Sequence, residues 1–271
     1  GSRRDECACA TRRRCCRCFD LALPGVRPWH RAFTPDLATT LGTGSAAGGC
    51  LRLRHFGELT VGWLILALMG AVTFLYGLSV HATLLCLLVK PLPVLALLGW
   101  LHDAPPSEYR RWISLGLIFS LLGDVLLAWP GDLFVFGLGA FLVAHLAYLK
   151  AYLTDCRRLA LLPLVLALGV GAILLGVLIA HGLGPLLIPV IVYGLAISAM
   201  LWRALARLGT DVPKRSALLA AAGAVAFVFS DSVVGISRFV GPFEAAPYVI
   251  ILSYWLGQWG ITASAFDQKP R

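Results

Sequence analysis

The sequence predicts an all-α fold, a polytopic transmembrane helical bundle of about eight spans with the N and C termini both cytoplasmic. Composition is the first observation: 59% of the 271 residues are hydrophobic and 14% are charged, with a mean hydropathy of +0.82. A soluble domain carries about 25% charged residues. The apolar stretches, about 20 residues long and without alternation, match spanning helices rather than barrel strands. Basic residues gather in every second loop, which sets the orientation.

Residues 1 to 58 are predicted to form a disordered, basic, Cys-rich N-terminal extension. They mix Arg, Cys, Gly, Pro and Thr without apolar periodicity, and ten of the 23 Lys and Arg residues lie in the first 54 positions. The run from Arg12 to Cys18 leaves a palmitoylated patch or a metal site open, although no second ligand pair stands at zinc-finger spacing. The membrane domain is predicted to cover residues 59 to 267, followed by a tail over 268 to 271.

Eight apolar segments follow in order along the membrane domain. The second is interrupted by Lys90-Pro91-Leu92-Pro93, where proline removes backbone donors and kinks a helix. The fifth and sixth are separated only by residues 181 to 185, but together they are too long for one span. The segments are predicted at 60–78, 83–101, 112–129, 133–153, 159–180, 184–203, 216–236 and 246–266.

Basic residues mark the cytoplasmic ends of these segments, and the other loops are nearly bare, with Arg238 the exception. By the positive-inside bias, both termini are predicted to be cytoplasmic. Placement at helix ends also explains the formal charge of +9 better than a nucleic-acid surface does. The marking residues are Arg52, Arg54, Arg110, Arg111, Arg157, Arg158, Arg203, Arg207, Lys214, Arg215, Lys269 and Arg271.

Two carboxylates stand inside apolar segments, Asp124 in the third and Asp231 in the seventh. An intramembrane Asp costs about 2.5 to 3.5 kcal/mol on insertion scales, so a functional site is the first hypothesis. A helix-packing hydrogen bond is the alternative, although Asn or Ser would serve it at lower cost. At 1.5 Å rise per residue both carboxylates lie roughly 8 Å inside the non-cytoplasmic face, and Lys90 and Tyr254 lie roughly 12 Å inside it. A broken helix at this depth often lines a site, and Lys90 is equally compatible with snorkelling or with only neutralising an Asp.

Other polar residues share helix faces at membrane depth. His145 and Tyr148 stand at i and i+3, and Tyr254 and Gln258 at i and i+4. A lone buried His is more often a packing residue than a ligand, and no HExxH motif or His and Cys cluster predicts a metal. Without a GxSxG, Walker or GxGxxG motif, serine-hydrolase and nucleotide-driven classes lose their main sequence support. Any chemistry is therefore predicted to run on carboxylates.

The order of these motifs resembles the lysoplasmalogenase family of eight-span membrane enzymes. The likeness covers roughly residues 60 to 266, and its motifs are fairly specific in this order rather than singly. They are Lys90-Pro91, Phe119-Ser120-Leu121-Leu122-Gly123-Asp124, the stretch 139–148 with His145 and Tyr148, Phe229-Ser230-Asp231-Ser232, and Tyr254-Trp255-Leu256-Gly257-Gln258.

The resemblance implies hydrolysis of the vinyl ether bond in lysoplasmalogens of the ethanolamine and choline classes, which gives a fatty aldehyde and glycerophosphoethanolamine or glycerophosphocholine. It implies no cofactor, and it carries the catalytic role onto Asp124 and Asp231. We infer substrate contacts from depth and helix face; Lys90 or Arg238 could meet the phosphate. The predicted substrate-binding residues are Lys90, His145, Tyr148, Ser230, Arg238, Tyr254 and Gln258.

In such a pair one Asp stays protonated as the general acid, and the other stabilises the oxocarbenium ion and orients water. Which Asp plays which part is left open by the sequence, because the pair titrates as a coupled unit. The alternative function is a proton-coupled transporter of a small or amphiphilic substrate, and a helix-packing or regulatory protein is a third. The predicted location is the endoplasmic reticulum membrane; a homodimer is compatible with the sequence, and no nucleic-acid partner is expected.

Overall fold

The computed structural model describes residues 46 to 268, with side chains from Val61 onward. The chain divides into two units, Gly1–Gly49 and Cys50–Arg271, and the second holds the membrane bundle. Its described part consists of helices joined by loops and turns, without a strand. The helices are α1 (Ala46–Ser79), α2 (Thr83–Val89), α3 (Leu92–Leu101), α4 (Glu108–Ala128), α5 (Phe134–Asp155), α6 (Leu161–Ala180), α7 (Leu187–Ala206), α8 (Lys214–Phe239) and α9 (Ala246–Ala263).

The first helix begins earlier than the apolar pattern indicates, because α1 starts at Ala46 and its apolar part starts at Val61. Residues 46 to 58, predicted to belong to a disordered extension, are therefore helical where the structure describes them. The predictions for residues 1 to 45, with the run from Arg12 to Cys18, and for residues 269 to 271 lie outside the described residues. The domain limits at 58 and 267 stay predictions.

Seven spans within the described residues are long and apolar enough to cross a membrane. They match the first seven predicted segments, and the fifth and sixth are separate, as their combined length predicts. The eighth predicted segment forms α9, which falls outside this set. It has 18 residues, includes Ser253, Gln258 and Thr262, and buries more than half of its residues inside the bundle.

The second span is broken at Lys90 and Pro91, as its prolines predict. Helix α2 ends at Val89 and α3 begins at Leu92. Pro91 has no N–H to donate to the preceding turn, and hydrogen bonding resumes with the Leu95 amide donating to the Pro91 carbonyl at 2.9 Å. Lys90 therefore lies at the break between α2 and α3, in the middle of the second span.

The turn between α6 and α7 depends on glycine. Gly182 has a φ of 86° and Gly184 a φ of 53°, and this left-handed region disfavours side chains with a Cβ. The chain therefore reverses within a few residues, between Ala180 and Leu187.

The outside of the bundle is apolar. Leu88, Leu162 and Ile173 each expose more than 70% of their surface. Such a continuous apolar exterior is excluded from water and is stable against lipid tails. With the seven spans, it identifies an integral membrane protein.

Helix α4 packs along α5, α8 packs along α9, and α7 contacts α5, α6 and α8. At the end of the bundle that holds Arg207, this guanidinium is fully buried. It donates to Asp155 at 2.7 Å and to the Ser216 hydroxyl at 2.9 Å, and it stacks over Tyr109 and Tyr152. Arg207, which the sequence analysis used to mark a cytoplasmic helix end, is therefore a buried cation that links α5, α7 and α8.

Helices α8 and α9 approach through glycines. A Cβ on Gly223 would lie 2.7 Å from the Ile261 amide nitrogen and 2.8 Å from the Gly257 carbonyl oxygen, and one on Gly257 would lie 2.9 Å from the Phe227 nitrogen. Small residues allow such backbone contact in membranes, where dispersion replaces the hydrophobic effect as the driving force. This contact positions the two helices that carry Asp231 and Tyr254.

We expect Gly223→Ala to lower the free energy of unfolding by about 1 to 3 kcal/mol, because the added methyl group must separate two backbones. Denaturant unfolding in detergent measures the change. Gly169→Ala is the matched control, since a Cβ there meets no atom within 4 Å and gains the same helix propensity. Equal stability of the two variants would contradict the close approach.

Candidate active site

A cavity of about 130 Å³ lies inside the bundle. Both predicted carboxylates line it, together with Lys90, Tyr254 and Ser230. A single water needs about 10 to 15 Å³ measured this way, so the space holds several waters or part of a chain-like ligand. Most of the remaining wall consists of Leu, Val, Ile, Phe and Gly residues.

Asp124, on α4, is held by a cation and a phenol. The Lys90 ammonium nitrogen lies 3.6 Å from Asp124 Oδ1, and the Tyr254 hydroxyl donates to Oδ2 at 2.7 Å. The Asp124 side chain is 2% exposed. Lys90 and Tyr254 both contact this carboxylate, as their positions along the segments permit, and Lys90 pairs with an Asp rather than pointing away from it.

Asp231, on α8, has a different environment. The Tyr193 hydroxyl donates a short hydrogen bond to Asp231 Oδ2, and His145 Nε2 lies 3.7 Å from the same oxygen. The imidazole of His145 also meets the ring of Tyr193 edge-on, with ring centroids 5.2 Å apart. Within the described residues, no Lys or Arg forms an ion pair with Asp231.

The two carboxylates thus share one cavity but differ in their partners. A nearby ammonium favours the ionised form of a carboxyl group, whereas apolar burial favours the neutral form. Asp124 has the ammonium and Asp231 has a phenol and an imidazole. The site can therefore hold one anionic and one protonated carboxyl group at the same time.

Tyr148 and Gln258, predicted to contact substrate, lie behind the cavity wall. The Tyr148 hydroxyl donates to Gln258 Oε1 at 2.7 Å, and Ser120 Oγ lies 3.4 Å from the same hydroxyl. Both side chains are fully buried. They support the wall through Phe227, whose ring meets those of Tyr148 and Tyr254.

Ser230 lines the cavity, but its hydroxyl is already used. It donates to the Ile250 carbonyl at 2.9 Å and so ties α8 to α9 next to Asp231.

Arg238 lies at the surface, outside the cavity lining. It forms an ion pair with Asp132 at 2.9 Å, and its guanidinium stacks over the ring of Phe134 at 5.0 Å. Phe134 and Phe239 line the cavity. The ion pair is therefore next to one end of the cavity.

Tyr193 is a site residue that the sequence analysis missed. It follows the start of α7 at Leu187 by six residues, roughly 9 Å below the helix end, which is deeper than an interfacial aromatic residue lies. That depth is the signal that could have identified it.

The family comparison matches residues 85–265 to the YhhN family. Lysoplasmalogenase TMEM86B of Homo sapiens is 38% identical over 180 residues, which are 66% of this chain and 74% of that protein. The lysoplasmalogenase of Mycobacterium tuberculosis (strain CDC 1551 / Oshkosh) is 42% identical over 171 residues, 60% of this chain and 63% of that protein.

Lysoplasmalogenase TMEM86A of Homo sapiens is 31% identical over 194 residues, 67% of this chain and 78% of that protein. No solved structure matches the chain. The matched region begins at Leu85, in α2, and ends in the turn after α9, so it contains both carboxylates and every side chain described above. The chain belongs to the YhhN family.

Proposed function

We propose that this protein is a lysoplasmalogenase, a hydrolase that cleaves the vinyl ether bond of 1-alkenyl lysoglycerophospholipids. The observation that carries the proposal is the pair of carboxylates in one intramembrane cavity, one beside an ammonium and one beside uncharged partners. The names of the relatives support the same activity. An amphiphilic substrate also matches a cavity whose wall is mostly apolar.

The first step is protonation of the vinyl ether. Asp231, as the neutral acid, gives its proton to the β-carbon of the vinyl ether, and the double bond becomes an oxocarbenium ion. Tyr193 and His145 orient the Asp231 carboxyl group. This step needs a proton donor inside an apolar wall, which the position of Asp231 supplies.

Water then captures the cation. Lys90 keeps Asp124 ionised and Tyr254 orients it. Asp124 stabilises the oxocarbenium ion and takes a proton from the attacking water. One of the two carboxylates in a glycosidase acts in the same way. The hemiacetal collapses when its hydroxyl proton returns to Asp231 and the glycerol oxygen takes the proton from Asp124. The products are a fatty aldehyde and a glycerophospho alcohol, and both carboxyl groups recover their first states.

The test is aldehyde release by the purified protein in detergent. Three lysophosphoethanolamines of equal chain length are compared, with a vinyl ether, a saturated alkyl ether or an ester at the first glycerol carbon. We expect release from the vinyl ether alone, because only it forms an oxocarbenium ion on protonation. No aldehyde from the vinyl ether would overturn the proposal and favour proton-coupled transport, and release of fatty acid from the ester would indicate an esterase.

The headgroup is proposed to lie at the ion pair of Arg238 and Asp132, where Arg238 meets the phosphate. Charge reversal by Arg238→Glu should raise KM about tenfold, because a charge-assisted hydrogen bond is lost. The value of kcat should stay within about twofold, since the bond is made equally in ground and transition states.

Arg215→Glu is the matched control for this charge reversal. Arg215 is exposed and forms an ion pair with the partly buried Asp267 near the other end of the bundle. An unchanged KM in Arg238→Glu would argue against the headgroup assignment. An equal rise in KM in both variants would assign the effect to general surface charge.

The membrane location and orientation belong to the same proposal. We propose the endoplasmic reticulum as the membrane that holds the protein, because the proposed activity is a step of phospholipid metabolism. Both termini are proposed to be cytoplasmic on the distribution of basic residues. The headgroup then lies on the opposite side, at the loop that carries Asp132.

A further inference from the structure

The cavity has two arms that leave the carboxylates in opposite directions. The outer arm runs along α8 from Asp231 to Phe239, and reaches Phe134 beside the ion pair of Arg238 and Asp132. The inner arm runs along α6 and α7 toward Ala167 and Leu201. Each arm extends eight residues along its helix, from Asp231 to Phe239 and from Tyr193 to Leu201, which is roughly 12 Å.

The inner arm is built for an apolar chain. Beyond Tyr193 its lining on α7 is Gly194, Ile197, Ser198 and Leu201, and Ser198 supplies the one side-chain polar group among these four. Ile197, Leu201 and Ala167 are buried and belong to the main hydrophobic core. A charged phosphate there would lose its hydration without a partner, so the headgroup is directed to the outer arm.

Gly194 stands at the start of the inner arm without a packing reason to be glycine. A Cβ added there would meet no atom within 4 Å, and its backbone is helical. Glycine inside a helix costs about 1 kcal/mol relative to alanine. The property that glycine supplies at this position is open space next to the carboxylates.

The inner arm approaches the lipid on its α6 side, about one turn before its far end. Val170 lines the cavity there and is 46% exposed, whereas Ala167 and Leu201 are buried. An arm of roughly 12 Å holds about nine carbons of an extended chain, whose C–C bonds of about 1.5 Å zigzag. A longer chain continues past Val170 into the bilayer.

We propose that the inner arm binds the alkenyl chain of the substrate and that Gly194 keeps the arm open beside the reacting carbons. The proposal rests on the proposed hydrolase function and adds the direction of the lipid: headgroup in the outer arm, double bond at the carboxylates, chain toward Ala167. Gly194 is then a residue that sets chain specificity.

The test compares a butenyl and a hexadecenyl lysophosphoethanolamine, which differ only in chain length, with Gly194→Leu and wild type. Leucine at position 194 fills the arm beyond the first carbons. We expect the ratio of kcat/KM for the hexadecenyl lipid to kcat/KM for the butenyl lipid to fall about tenfold or more, because only the longer chain occupies the arm beyond Gly194. Gly176→Leu is the matched control, since it lies on α6 outside the cavity lining and a Cβ there also meets no atom within 4 Å.

Gly194→Ala keeps the test decisive if the leucine variant does not fold, because alanine fits the space and favours the helix. Its ratio of hexadecenyl to butenyl kcat/KM should fall about twofold. An unchanged ratio in the folded variants, or an equal loss for both lipids, overturns the chain assignment while the hydrolase function stands. A wild type that releases aldehyde from neither lipid overturns both proposals together.

Discussion

Asp231→Asn is expected to lower kcat for aldehyde release about a thousandfold, within the range that a general acid contributes. Asparagine has nearly the same shape and its amide oxygen still accepts the hydrogen bond from the Tyr193 hydroxyl, but it has no acidic proton for the β-carbon. Because the oxygen that Tyr193 contacts is kept, the side chain should stay in place. The measurement is the kcat of the purified variant with the vinyl ether lysolipid.

Asp211→Asn is the control for this change, since Asp211 is exposed in the loop between α7 and α8. The unfolding midpoints of wild type and both variants should agree within a few degrees. Retention of more than about a tenth of the wild-type kcat in Asp231→Asn would exclude Asp231 as the acid, because even the weakest general acids contribute about a hundredfold.

Depth is the part of the site that the sequence predicts well. The rise per residue in a helix is constant, so counting from segment ends brings Lys90 and Tyr254 to the level of Asp124, and the structure confirms both contacts. The limits of the first seven segments were predicted from hydropathy, because the part of a helix that crosses the membrane is apolar. The start of α1 at Ala46 was missed because small residues and then the charged Arg52, Arg54 and Glu58 precede Val61, and hydropathy detects the apolar part alone.

Rotation about each helix axis is the part that the sequence does not predict. In a membrane both the lipid-facing and the core-facing sides of a helix are apolar, so periodicity does not say which face meets which neighbour. Tyr148 and Gln258 were predicted at the site and lie behind its wall, bonded to each other. Tyr193 was missed although it meets Asp231, because nothing in the α7 pattern shows that this face turns toward α8.

The pairing of Lys90 with Asp124 yields the second large effect, on stability and activity together. Asp124→Asn leaves the Lys90 ammonium in a mostly apolar cavity without its counter-ion. Removal of one partner of a buried ion pair costs about 3 to 5 kcal/mol. Lys90 lines a cavity that has room for water, which lowers this cost, so we expect a loss of about 2 kcal/mol in the free energy of unfolding. The kcat should fall about a hundredfold or more, since the group that stabilises the cation and deprotonates water is gone.

The double variant Lys90→Met/Asp124→Asn separates the two effects. Methionine keeps the length of the lysine side chain without its charge, so the unpaired ammonium disappears and stability should return to within about 1 kcal/mol of wild type. Activity should not return, because the carboxylate is still missing. Lys214→Met, at the exposed start of α8, controls for loss of a lysine charge. Recovery of aldehyde release in the double variant would mean that Asp124 serves only to neutralise Lys90, and it would leave Asp231 as the sole catalytic carboxylate.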